Sequence, residues 1–119
     1  MSVFYNNAED ERRSRSVVFK YIRELESDDA EERHQEDYIT VIDIIRWLGI
    51  TDEIDESAVR RTRSGGFIMV TLLSLASKDL LLDRKGWLRT EPRLKDVFIE
   101  PAHSLAVIDR RRNTDNRRR

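Results

Sequence analysis

Two basic clusters are the residues in this chain best placed to do chemistry. Arg60, Arg61 and Arg63 stand just before Ser64 and the Gly65-Gly66 pair, and Arg84, Lys85 and Arg89 surround Gly86 and Trp87 in the stretch LLLDRKGWLRT. Guanidinium and ammonium groups at that density suit phosphate, since each carries a full charge and several hydrogen-bond donors. Between the clusters, Thr71, Ser74 and Lys78 recur at helical spacing. Short hydroxyls and a flexible amine on one helical face can reach base edges in a major groove. The chemistry suggested is nucleic-acid recognition. A blander reading pairs Arg60 and Arg61 with Asp52, Glu53 or Glu56 one turn away, as surface ion pairs worth little. Gly65-Gly66 likewise reads more readily as a helix break than as a phosphate cradle, because SGG fits neither a P-loop nor a dinucleotide fingerprint.

Other chemistries find less support. The chain has no cysteine, so neither a disulfide framework nor a thiolate metal site is expected, which is compatible with a reducing cytosol. His34 and His103 lack ligand spacing to one another, and no metal or other cofactor is expected. The carboxylates Asp28, Asp29, Glu31 and Glu32 cluster where almost nothing apolar would desolvate them, and no serine sits in a nucleophile-elbow context. The expectation is that the protein is not an enzyme.

Charge is strongly polarised along the 119 residues: residues 1–59 hold 7 Lys/Arg against 16 Asp/Glu, a net −9, and residues 60–119 hold 15 against 7, a net +8. One half is suited to a polyanion and the other to water or to a basic protein surface, so a protein partner at the acidic face is a second possibility. The length fits one small domain. No run reaches the roughly 20 apolar residues of a membrane span, and the start MSVFYNNAEDERR does not read as a secretory signal. The expected location is the cytoplasm, at the nucleoid if DNA is the ligand.

The elements that must position these residues are read from periodicity. Residues 1–9 lack a pattern and read as a flexible arm. Val17, Val18, Tyr21, Ile22 and Leu25 recur at helical spacing and predict a first helix, and Glu26 to Asp37 reads as an acidic mobile loop or an exposed helical extension. Thr40 as N-cap opens a helix from Val41 to Leu48 with Ile42, Ile45 and Leu48 inward, ended by Gly49 in a left-handed cap. A second helical region follows Asp52, with Ala58 and Val59 inward. From Gly66 the spacing of Met69, Leu72, Leu73, Ala76 and Leu80 predicts a helix, with Thr71, Ser74 and Lys78 outward. Leu80 to Thr90 reads as a hairpin around Arg84, Lys85 and Gly86, with Trp47 and Trp87 as packing residues. A last helix is expected from Ala102 to about Arg111, and residues 110–119 form a basic tail.

ITVIDIIRWLGI followed by TLLSLASKDLLLDRKGWLRTEP resembles the winged helix-turn-helix domain of transcriptional regulators, over Val17 to Thr90. The stretch between Gly49 and Leu80 is longer than that pattern usually allows. The resemblance implies a mainly α fold with a small β-hairpin over residues 10–109. It also implies a recognition helix opening near Ser64 to Phe67 and a wing carrying Arg84, Lys85 and Arg89. The function implied is sequence-specific binding of double-stranded DNA as a small transcriptional regulator. A homodimer would be joined through Leu105, Val107 and Ile108 or through Val18 and Tyr21. The alternatives are a protein-interaction adaptor and RNA binding through the basic tail.

Overall fold

The computed structural model describes residues 11–62 and 66–102. A helical turn at residues 11–14 leads into β1 (Ser16–Lys20), followed by α1 (Ala30–Trp47). A 3-10 turn (Glu56–Ala58) introduces β2 (Val59–Arg61), which is followed by β3 (Phe67–Thr71) and α2 (Leu75–Arg84). Further 3-10 turns (Lys85–Thr90) lead to β4 (Phe98–Pro101). The sheet is antiparallel throughout, in the order β2-β3-β1-β4. From β1 onward the element order is βαββαβ with β1 and β3 central, which is the split β-α-β arrangement.

The fold is therefore α+β with a four-stranded sheet, and the expected mainly α winged helix with a small hairpin is not formed. Three local readings change with it. The first helix is strand β1, because SVVFK is buried almost throughout, as a central strand covered on both faces requires. The opening of the expected recognition helix is β3: Ile68, Val70 and Leu72 are buried in strict alternation. The expected wing hairpin is the second half of α2 and its 3-10 continuation.

Helix α1 starts earlier than its apolar pattern does. Asp29, rather than Thr40, is the N-cap, its carboxylate accepting from the Glu31 N–H at 2.9 Å, with Glu31 and Glu32 in the positively polarised first turn. Residues 30–37 of the expected acidic loop are thus helical, in line with the alternative of a helical extension. Asp37, Val41, Ile44, Ile45 and Leu48 form the buried stripe. The helix ends as expected at Gly49, whose φ of 83° is closed to L side chains without strain. Its N–H bonds to the Arg46 carbonyl at 2.9 Å and that of Ile50 to the Ile45 carbonyl at 3.1 Å, the paired bonds of a Schellman cap. A Cβ here would also meet Arg84 Nη1 at 2.7 Å, the atom that donates to the Leu48 carbonyl. Gly49→Ala is expected to destabilise by about 1–2 kcal/mol, read by denaturant unfolding; an unchanged midpoint would contradict the cap.

Both helices pack on one face of the sheet. Val17 and Phe19 of β1, Ile68 and Val70 of β3 and Ile99 of β4 share a core with the α1 stripe, Leu81 and Leu88. The opposite set of sheet positions, Ser16, Val18, Lys20, Phe67, Met69 and Phe98, makes the second face, on which Ser16 and Val18 are buried and Phe98 is exposed.

Candidate nucleic-acid interface

Register assembles the site on that second face. Lys20 pairs with Phe67 on one side and with Phe98 on the other, so a row Phe67–Lys20–Phe98 crosses three neighbouring strands. The Lys20 ammonium lies 5.1 Å from the Phe67 ring centroid and 2.9 Å from Oε2 of Glu100. Phe98 is 47% exposed. Its ring meets Tyr21 edge-on at 5.5 Å, while the Arg89 guanidinium lies 4.3 Å from its centroid. Tyr21, 67% exposed, has φ 69°, an unusual value for a bulky residue. This kink stands where the chain leaves β1 beside Phe98. Arg60, exposed on edge strand β2, stands opposite Met69 on the same face. Aromatic rings, a central ammonium and flanking guanidiniums thus share one surface.

The sequence-predicted site residues do not form a single surface. Arg60 stays exposed. Arg61, on the helix-facing side of β2, grips Asp37 of α1 with two hydrogen bonds of 2.9 and 2.8 Å and donates to the Ile22 carbonyl at 3.0 Å. Their side chains are 8% and 4% exposed, so the pair is buried, and Glu24 lies 3.6 Å away. The hydrogen bonds to Asp37 raise the Arg61 pKa above its ordinary value, outweighing desolvation. A raised folded-state pKa means that this contribution is complete at neutral pH and is lost only in strong alkali. Arg63 and Ser64 lie outside the described residues.

Thr71 and Ser16 share a hydroxyl hydrogen bond of 2.9 Å across β1 and β3. Ser74 is the N-cap of α2, accepting from the Ser77 N–H at 3.1 Å. Lys78 is buried and donates to the Ser14 carbonyl at 2.6 Å. The expected faces of this segment are only partly kept: Leu72 is buried as expected, but Lys78 points inward and Leu73 is 62% exposed. The strand at residues 67–71 resets the helical phase, so positions 71, 74 and 78 no longer share one outer helical face. Arg84 donates to the Leu48 carbonyl at 2.8 Å and lies 5.0 Å from the ring centroid of Trp87, which is half-exposed instead of packed in a hairpin. Lys85 donates to the Ile99 carbonyl at 3.1 Å, and Arg89 to the Val97 carbonyl. Lys85 thus occupies a backbone carbonyl of the edge strand β4, and Arg89 the carbonyl just before that strand. Among the described residues, Arg60, Arg84, Lys85 and Arg89 have no carboxylate in ion-pair contact.

Sequence reasoning missed Lys20, Tyr21, Phe67 and Phe98 as site residues. The usable signal was the alternation of Ile68, Val70 and Leu72, which turns Phe67, Met69 and Thr71 to the other face.

A hollow of about 1010 Å³ lies on the helix side, lined by residues that include Glu31, His34, Tyr38, Glu53, Asp55 and Glu56. Its acidic rim is unsuited to phosphate. Ligand atoms of Glu31, His34 and Glu56 lie within 4.8 Å of one another, which is close enough to hold a cation. The Gln35 amide already spans the two carboxylates, at 3.5 and 3.0 Å. His34 Nε2 lies 3.0 Å from the carbonyls of both Glu56 and Val59, so it joins α1 to the start of β2.

Compared with known families, curated proteins and solved structures, the chain matches none.

Proposed function

We propose that the protein binds single-stranded nucleic acid along the second face of its sheet, where Tyr21 and Phe98 are exposed. The observation that carries this reading is the row Phe67–Lys20–Phe98 across β3, β1 and β4. Strands lie about 4.8 Å apart, so the two aromatic positions are roughly 10 Å from each other, with an ammonium between them. Unpaired bases stack on exposed aromatic rings, and the phosphate that links them needs a cation at that interval. A duplex keeps its bases stacked on one another and offers these rings nothing. Arg60 at one edge, with Lys85 and Arg89 at the other, supplies positive charge along the path of a strand. The location that goes with this reading is the cytoplasm or the nucleoid.

The duplex-reading alternative rested on a helix presenting Thr71, Ser74 and Lys78, and these residues now serve the protein's own packing. A duplex would have to be held by backbone contacts alone. The alternatives separate in one titration by fluorescence anisotropy, using single-stranded RNA, single-stranded DNA and a duplex of equal length at two salt concentrations. A single strand should bind more tightly than the duplex. Its affinity should fall with salt at a log–log slope of about −0.7 per phosphate contact. Equal or tighter binding of the duplex would overturn the reading, as would binding that ignores salt.

A further inference from the structure

At the outer edge of β4 is a separate cavity of about 230 Å³, lined by residues that include Lys85, Gly86, Arg89, Phe98 and Glu100. We infer that this cavity takes the terminal phosphate of the strand crossing the sheet, with the end base against Phe98. The inference rests on the single-strand reading and adds to it a preference for one chemical form of strand end.

Three observations meet here. Lys85 uses one donor on the Ile99 carbonyl of β4 and Arg89 one on the Val97 carbonyl just before it, which fixes their side chains at the cavity wall. An ammonium has three donors and a guanidinium five, so both keep donors to spare. Neither has a carboxylate partner among the described residues, although Glu100 lines the same cavity, because Glu100 is engaged with Lys20 at 2.9 Å. Phe98 belongs both to this cavity and to the second face of the sheet, so it joins the end site to the stacking row. Gly86 opposes no side chain to a bulky group: a Cβ there would meet nothing within 4 Å. A terminal phosphate carries more negative charge than an internal one and is free to turn toward two converging donors, which favours bidentate, charge-assisted hydrogen bonds.

The test compares three otherwise identical single-stranded oligonucleotides, ending in a 5′-phosphate, in a 3′-phosphate or in hydroxyls only. One of the phosphorylated forms is expected to bind roughly tenfold more tightly than the hydroxyl form, the worth of one charge-assisted hydrogen bond. Lys85→Gln and Arg89→Gln keep a donor for the Ile99 and Val97 carbonyls while removing the charge, and each should abolish most of that advantage. Arg89→Lys should retain part of it. Thermal unfolding of each variant checks that the fold persists. Equal affinity for all three oligonucleotides overturns the inference but leaves the single-strand reading standing. A loss in the Gln variants that is the same for all three also overturns it, since the charges would then meet internal phosphates. Failure of every single strand to bind removes the underlying reading itself.

Discussion

Replacing Asp37 by alanine is expected to lower the unfolding free energy by about 3 kcal/mol, because the buried Arg61 guanidinium loses its doubly hydrogen-bonded carboxylate and keeps only the more exposed Glu24 at 3.6 Å. Both side chains are nearly inaccessible, and the two hydrogen bonds between them clamp α1 to strand β2. Asp37→Asn, which keeps one acceptor, should cost less. The double replacement Asp37→Leu with Arg61→Met should recover much of the loss, since a well-packed apolar pair avoids the desolvation that the ions suffer. Denaturant unfolding of the four proteins measures this directly. A cost below about 1 kcal/mol for Asp37→Ala, the level of an exposed ion pair, would show that the pair is solvated.

The second large effect is on binding. Phe67→Ala and Phe98→Ala should each weaken single-stranded nucleic acid by about 1–3 kcal/mol, and together by roughly a hundredfold or more if the two stacking sites act independently. Neither ring belongs to the core shared with the helices, so unfolding midpoints should move little. Tyrosine at either position should preserve binding, because stacking needs the ring and not its identity. Lys20→Gln should leave base stacking in place and reduce the salt slope by about 0.7. A double alanine variant that stays folded and binds as tightly as the parent would remove the rings from the interface.

These expectations rest on a sheet that the sequence concealed behind helical periodicity. In Val17 to Leu25 the apolar positions satisfy a 3.6-residue repeat, yet Val17, Val18 and Phe19 are consecutive and buried, because β1 is central and closed on both faces. Alternation cannot appear in such a strand, and only the β-branched valines hint at it. In Phe67 to Leu80 two elements abut with three residues between them, so their apolar residues fuse into one apparent stripe. Ile68, Val70 and Leu72 follow the alternation of the strand, and Leu81 the period of the helix. Local chemistry was easier to read: Gly49 ends α1 as its position suggests, since a left-handed cap needs glycine whatever the tertiary context.

The basic residues teach the converse lesson. Their number and position after residue 59 are plain in the sequence, but their uses differ with burial. Arg61 is spent on Asp37 and Lys78 on a carbonyl of the first helical turn, whereas Arg60, Lys85 and Arg89 remain at the surface. No spacing rule distinguishes these roles, because a guanidinium that binds phosphate and one that binds a buried carboxylate are the same residue type. The aromatic half of the site depended on register: Lys20 stands between Phe67 and Phe98 only after strands far apart in the chain have paired.

The most direct measurement is an amide chemical-shift titration of the whole chain with a short single-stranded oligonucleotide. The account predicts concentration-dependent shifts at Val18, Lys20, Tyr21, Phe67, Met69 and Phe98, with the exposed side of α1 around Ile39 and Asp43 unmoved. Shifts confined to α1 and α2 while the second face of the sheet stays silent would contradict it.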